Sequence, residues 1–144
     1  MIRTIKNFFA LFTGKPQVAE KQRSQETMNL ILNRRSCRSF TDEEIAEEDI
    51  QAILEAGRFA PSAVNLQTWS FITFTRQEWR KLFDRPIPFN GMRAMVICAD
   101  MYKLKNYFSD FMETPYVNIS FALFNAGLAA MNMTLLKKIE QLYL

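Results

Sequence analysis

Arg34, Arg35, Ser36 and Arg38, with Ser39 beside them, place three guanidinium groups and two hydroxyls within six positions. Such a set suits a phosphate dianion, because each Arg offers a planar fork of donors that matches phosphate oxygens. The same residues also suit a plainer role, since cations are favoured at the C-terminal end of a helix by the backbone dipole. A second group follows after one amphipathic stretch: Pro61, Ser62, Ala63, Val64 and Asn65, then Gln67, Thr68 and Trp69. Pro61 fixes the path of the chain, and Ser62 and Asn65 add short polar side chains and accessible backbone groups of the kind that line a planar ligand. An ordinary helix-to-strand connection would use the same residue types. Asn90 and Arg93, three apart before an apolar run, form a third candidate pair, and an Asn before Gly91 is equally a turn former.

The chain has no His, which removes Ser-His-Asp and Cys-His nucleophiles, HExxH zinc sites and imidazole proton shuttles together. Any redox or transfer chemistry then belongs to a cofactor, with no catalytic side chain required. Cys37 lies among arginines that favour its thiolate, although a small core or ligand-adjacent side chain fits as well. Cys98 sits in an apolar run and reads as core. Without a CxxC pair, neither a disulfide scaffold nor a zinc site is indicated, and a reducing, cytoplasmic setting fits.

The elements that must position these groups follow from periodicity. Residues 24–35 place Met28, Ile31 and Leu32 on one helical face, with Ser24 near the cap. Thr41, Asp42, Glu43 and Glu44 resemble a capping box for a helix running to about Gly57, with Ile50, Ile53 and Leu54 inward. Residues 70–75 favour a buried strand, 76–83 a helix and 84–90 a proline-bearing loop. The continuous apolar run 94–99 predicts a central strand covered on both faces. A helical pattern spans 102–111. Pro115 then opens one long apolar helix over 116–142, with Val117, Phe121, Phe124, Leu128 and Met131 at core spacing. Ala122, Ala126, Gly127, Ala129 and Ala130 add small side chains that let another backbone approach closely, as at a dimer interface.

The 144 residues make one domain of ordinary composition. Thirteen Phe favour a core of large flat side chains. Net charge is +3, but the positive charge concentrates before residue 39 and six acids follow over residues 42–49. That basic group is too short to track many nucleic-acid phosphates, so nucleic-acid binding is not expected. Residues 1–23 read as an amphipathic extension and linker, too short in apolar length to span a bilayer, and residues 24–144 as the domain proper. Ile2, Ile5, Phe8, Phe9 and Phe12 fall at helical spacing, which suits packing on the domain or a dimer and leaves contact with a membrane surface as a lesser alternative.

In the order basic cluster, helix, then APSAxNxQxW, the chain resembles the FMN-dependent nitroreductase family over about residues 28–136. The resemblance implies an α+β fold, with a central, mostly antiparallel sheet flanked by helices and a long central helix. It implies FMN as cofactor, held at its phosphate, ribityl chain and ring edge by Arg34, Arg35, Ser36 and Arg38. It implies that Pro61, Ser62, Ala63 and Asn65 cover the flavin from the partner subunit of a homodimer, with Gln67 and Trp69 anchoring the turn. Asn90 and Arg93 fall where relatives place residues at the pyrimidine edge, and Thr68 stands where the family often has Pro. The implied activity is hydride transfer from NAD(P)H through the flavin to a small-molecule acceptor such as a nitroaromatic or quinone. Relatives continue into a Gly-rich turn and further strands, whereas this chain ends at Leu144, so the C-terminal part of the fold is expected to be missing through truncation or a frame change. The alternative expectation is therefore an inactive relative that keeps flavin binding or dimerisation alone.

Overall fold

A computed structural model describes residues 19, 21, 25–107 and 115–136. The amphipathic N-terminal pattern, Ser24 as a cap, and the expected helical stretches 108–111 and 137–142 lie outside the described residues. Backbone contacts divide the chain into two units, Met1–Arg34 and Arg35–Leu144. In the first, α1 (Glu26–Asn33) carries Glu26 in its first turn and buries none of its residues. It ends where Arg34 turns extended, with its N–H donating to the Ile31 carbonyl at 3.4 Å.

The second unit is built on a two-stranded antiparallel sheet, β1 (Trp69–Thr75) and β2 (Arg93–Ala99), in register from Trp69 opposite Ala99 to Thr75 opposite Arg93. Strand alternation sorts the side chains onto two faces. On one face Trp69 and Phe71 stack with centroids 6.4 Å apart. Phe71, Met95 and Ile97 close over Ile53 of α2 (Glu47–Arg58) and Met133 of α5 (Pro115–Leu135). On the other face Phe74 meets Trp79 edge-on at 5.6 Å and Phe83 at 6.1 Å, both from α3 (Arg76–Phe83). Burying a side chain such as Ile50 or Ile53, each 2% exposed, contributes about 2 kcal/mol. A short helix, α4 (Met101–Tyr107), follows β2 and packs against α5. No described helix is long and apolar enough to cross a membrane.

Three expectations are corrected. Of the large residues read as the core face of the long helix, Leu128 packs on the cluster of Ala60, Trp69 and Ala129, but Phe124 is 63% exposed and Met131 45%. Ala122, Asn125, Ala126, Ala129 and Met133 face inward instead, because small side chains let α5 come close to the sheet and to α2. The two strands are half-buried along most of their length, not covered on both faces, and Ile72 is 45% exposed. The capping box lies at Thr75 and not at Thr41. Thr75 Oγ1 accepts from Glu78 N at 3.2 Å, while Glu78 Oε2 accepts from Thr75 N at 2.8 Å. α2 starts after Ala46 with no side-chain cap, and Asp42 of the preceding segment accepts a charged hydrogen bond from Arg76.

Candidate functional site

The connection from α2 to β1 is a tight, outward-facing loop. Ala60 is buried against Trp69 and Ala129, after which Pro61, Val64, Asn65 and Gln67 are exposed. Val64, Asn65 and Gln67 have φ of 54°, 55° and 48°, in the left-handed region that β-branched residues in particular avoid. Local bonds shape the turn: Ser62 accepts from Asn65 N through its carbonyl at 3.1 Å and from Gln67 N through Oγ at 3.0 Å.

Groups from elsewhere in the unit hold both ends of this loop. Asn125 of α5 is wholly buried; its Oδ1 accepts from Ala63 N at 3.0 Å, and its Nδ2 donates to Oγ1 of the equally buried Thr68 at 2.9 Å. At the far end, Lys103 Nζ of α4 donates to the carbonyls of Trp69 at 2.7 Å and Gln67 at 3.4 Å. Asp100 N donates to the Thr68 carbonyl at 3.0 Å. Asp100 itself accepts from the Ser70 hydroxyl at 2.8 Å and from Tyr102 N and Lys103 N at 3.1 Å each. The Ser70 hydroxyl foremost, then the Lys103 N–H, holds the Asp100 carboxyl below its ordinary range.

Asn90 and Arg93 lie in a different neighbourhood. Arg76 donates through Nε to the Gly91 carbonyl at 2.9 Å and through Nη2 to the Asn90 carbonyl at 2.6 Å and Asp42 Oδ1 at 2.8 Å. Asn90 Nδ2 also reaches Asp42, at 3.3 Å, and Arg93 pairs with Glu47 at 3.8 Å. Arg93 borders a cavity of about 260 Å³ whose walls include Phe40, Ile45, Trp79, Ile87 and Met95. Those apolar walls suit an uncharged group better than a phosphate.

Arg34 closes α1 as its C-cap, and Arg35, Ser36 and Arg38 continue on an exposed segment without regular secondary structure. Cys37, among them, is half-buried. The structure thus gathers Pro61, Ser62, Ala63, Asn65 and Gln67 on one loop, and Asn90 with Arg93 beside the acidic segment 42–47. Sequence reading missed Asn125, Thr68 as its partner, and Lys103. Asn125 carried a readable signal, being a polar residue inside the apolar run 121–130.

A two-stranded antiparallel sheet layered against helices, with a strained loop leading into its first strand, places this chain among the α+β proteins of nitroreductase-like fold. The chain belongs to the nitroreductase family, whose model matches residues 31–138. An Archaeoglobus fulgidus protein provisionally named NADH dehydrogenase/NAD(P)H nitroreductase is 40% identical over 88 residues, covering 58% of this chain and 50% of that protein. Among solved structures, B. megaterium NfrA1 superimposes with a TM-score of 0.64 at 25% identity, covering 79% of this chain and 51% of that one. The NADPH:FMN oxidoreductase from Vibrio harveyi, solved with NAD+, gives 0.62 at 26% identity over 78% of this chain and 51% of its own. The chain spans about half the length of these relatives.

Proposed function

We propose that this chain forms an FMN-dependent oxidoreductase that takes hydride from NAD(P)H and delivers it to a nitroaromatic, quinone or similar small acceptor. The observation that carries the reading is the strained, outward-facing loop 61–67, anchored at both ends and preceded by the guanidinium cluster in the order the family uses. When bound, FMN supplies the ring that accepts and donates hydride. Arg34, Arg35 and Arg38 neutralise its phosphate, and Ser36 adds a hydroxyl donor to the ribityl side. Pro61, Ser62, Ala63 and Asn65 cover the ring from the second chain of a homodimer, where Gln67 fixes the turn. Asn90 and Arg93 complete the reading at the pyrimidine edge, with Glu47 lying 3.8 Å from the Arg93 guanidinium.

A homodimer is supported by the outer face of α5. Ile119, Leu123 and Met131 are 45%, 57% and 45% exposed at intervals of four and eight, with Gly127 between them and nothing within 4 Å of its would-be Cβ. Such a stripe buries best against its own copy across a two-fold axis. The test is reconstitution with FMN followed by desalting and an absorbance spectrum, then NAD(P)H-dependent reduction of a nitro compound. Retained flavin with turnover above that of free FMN is expected, and a colourless protein overturns the reading.

The half-buried strands favour one competing reading, a flavin-binding or dimerisation module without turnover. It predicts no NAD(P)H oxidation beyond that of free flavin.

A further inference from the structure

We propose that Asn125 is the positioning residue of the flavin-covering loop, a staple from α5 that sets the conformation of residues 63–68; this rests on the FMN reading above. Its amide uses both ends. Oδ1 takes the N–H of Ala63, where the loop begins, and Nδ2 donates to the hydroxyl of Thr68, where it ends. Between these two anchors stand the three residues with positive φ, Val64, Asn65 and Gln67. None of the three is Gly, and although Asn tolerates this region Val and Gln do not favour it, so the bonds Ser62 makes within the loop and those from outside it together hold this backbone. Lys103 and Asp100 fasten only the exit, through the carbonyls of Gln67, Trp69 and Thr68. At the start of the loop Ser62 bonds within the loop itself, and among the described hydrogen bonds Asn125 is the side chain from outside it that reaches Ala63.

Both Asn125 and Thr68 are wholly buried, so neither side chain is presented to a ligand. Asn125 therefore acts through the backbone it holds. Val64, at 78% exposed, and Asn65 point outward because their neighbours are pinned inward. Releasing the pin lets positions 64, 65 and 67 relax toward negative φ, which re-aims the backbone that would face the ring.

The test compares wild type, Asn125→Leu, Thr68→Val and Thr68→Ser in the full chain, read by amide hydrogen exchange and by FMN titration followed through flavin fluorescence. Thr68→Ser keeps the hydroxyl and is expected to match wild type. Asn125→Leu and Thr68→Val are each expected to speed exchange across residues 63–68 and weaken FMN by about tenfold, the size that follows from leaving a buried polar group unpaired. Exchange in β2 is expected to stay at the wild-type rate, which separates positioning from general destabilisation. Equal acceleration in β2, unchanged exchange in the loop, or loop exchange that rises without loss of FMN affinity each overturns the proposal. If Asn125→Leu fails to fold, the Thr68 pair decides. If wild type binds no FMN, the flavin reading and the positioning role for it fall together; accelerated loop exchange in the variants then shows the staple alone standing.

Discussion

Gly57 offers the sharpest test of how α2 meets the sheet. A Cβ at this position would lie 2.8 Å from Phe71 Cζ and 2.9 Å from both Cγ and Sδ of Met133, against a comfortable carbon separation of about 3.5–4.0 Å. Two opposed effects decide the outcome of Gly57→Ala. Replacing a helical Gly by Ala contributes up to about 1 kcal/mol in backbone entropy. Wedging a methyl into a filled core costs about 1–3 kcal/mol. The wedge wins here because its neighbours come from two different elements. Phe71 belongs to β1 and stacks on Trp69, while Met133 belongs to α5 and is only 3% exposed. Yielding in one direction tightens the other.

The expected net loss is about 1 kcal/mol, a fall in thermal midpoint of about 4 °C, read by circular dichroism and by the urea midpoint. Met133→Ala alone is expected to cost about 2–5 kcal/mol. In that background the added methyl has space on one side, so Gly57→Ala becomes neutral or favourable, with a coupling of about 1–2 kcal/mol. A rise in midpoint for Gly57→Ala in the wild-type chain, or the same loss in both backgrounds, would refute the wedge.

The Thr75 and Glu78 capping box is expected to contribute about 1 kcal/mol, so Thr75→Ala lowers the urea midpoint accordingly while leaving the slope unchanged. The Asp100 carboxyl titrates below its ordinary value, so its contribution is fully present above the unfolded pKa of about 3.9 and is lost as pH falls through the lower folded value. Acid unfolding followed below about pH 4 is therefore expected to be less steep in Asp100→Asn than in wild type. Identical acid limbs would mean that the Ser70 and Lys103 bonds do not discriminate the charged form.

What was legible in the sequence was whatever local chemistry dictates. The aromatic and β-branched run that became β1, the prolines at 86 and 88, and the start of α5 at Pro115 each announce their conformation within a few residues. The family motif likewise located the loop at Pro61. What escaped was decided at long range. Which face of α5 turns inward depends on how closely α2 and the sheet approach, and Phe124 lost that contest to Asn125 and Ala126 despite its greater hydrophobicity. The capping box expected at Thr41 does not form, because α2 starts only after Ala46, and Asp42 of that segment instead accepts a charged hydrogen bond from Arg76, thirty-four residues away. No propensity assigns a positive φ to Val64; the Ser62 bonds within the loop and the distant anchor at Asn125 together hold it.

Those anchors also explain why a polar pair stands where an apolar one would fit. Leaving a buried amide or hydroxyl unpaired costs about 1–3 kcal/mol, whereas replacing both partners by apolar groups of similar shape is close to neutral. Asn125 and Thr68, satisfying one another, thus add little net stability over an apolar pair. Their bonds do have direction, which apolar contact lacks. The Ala63 N–H must meet Oδ1, and the Thr68 hydroxyl must meet Nδ2, so one amide ties a backbone N–H and a side-chain hydroxyl five residues apart. Strained residues at three positions in so short a span, each costing about 1–3 kcal/mol, persist only under such over-determination. The pair is better understood as a constraint on shape than as a source of stability, and the shape it constrains is that of the loop's exposed side.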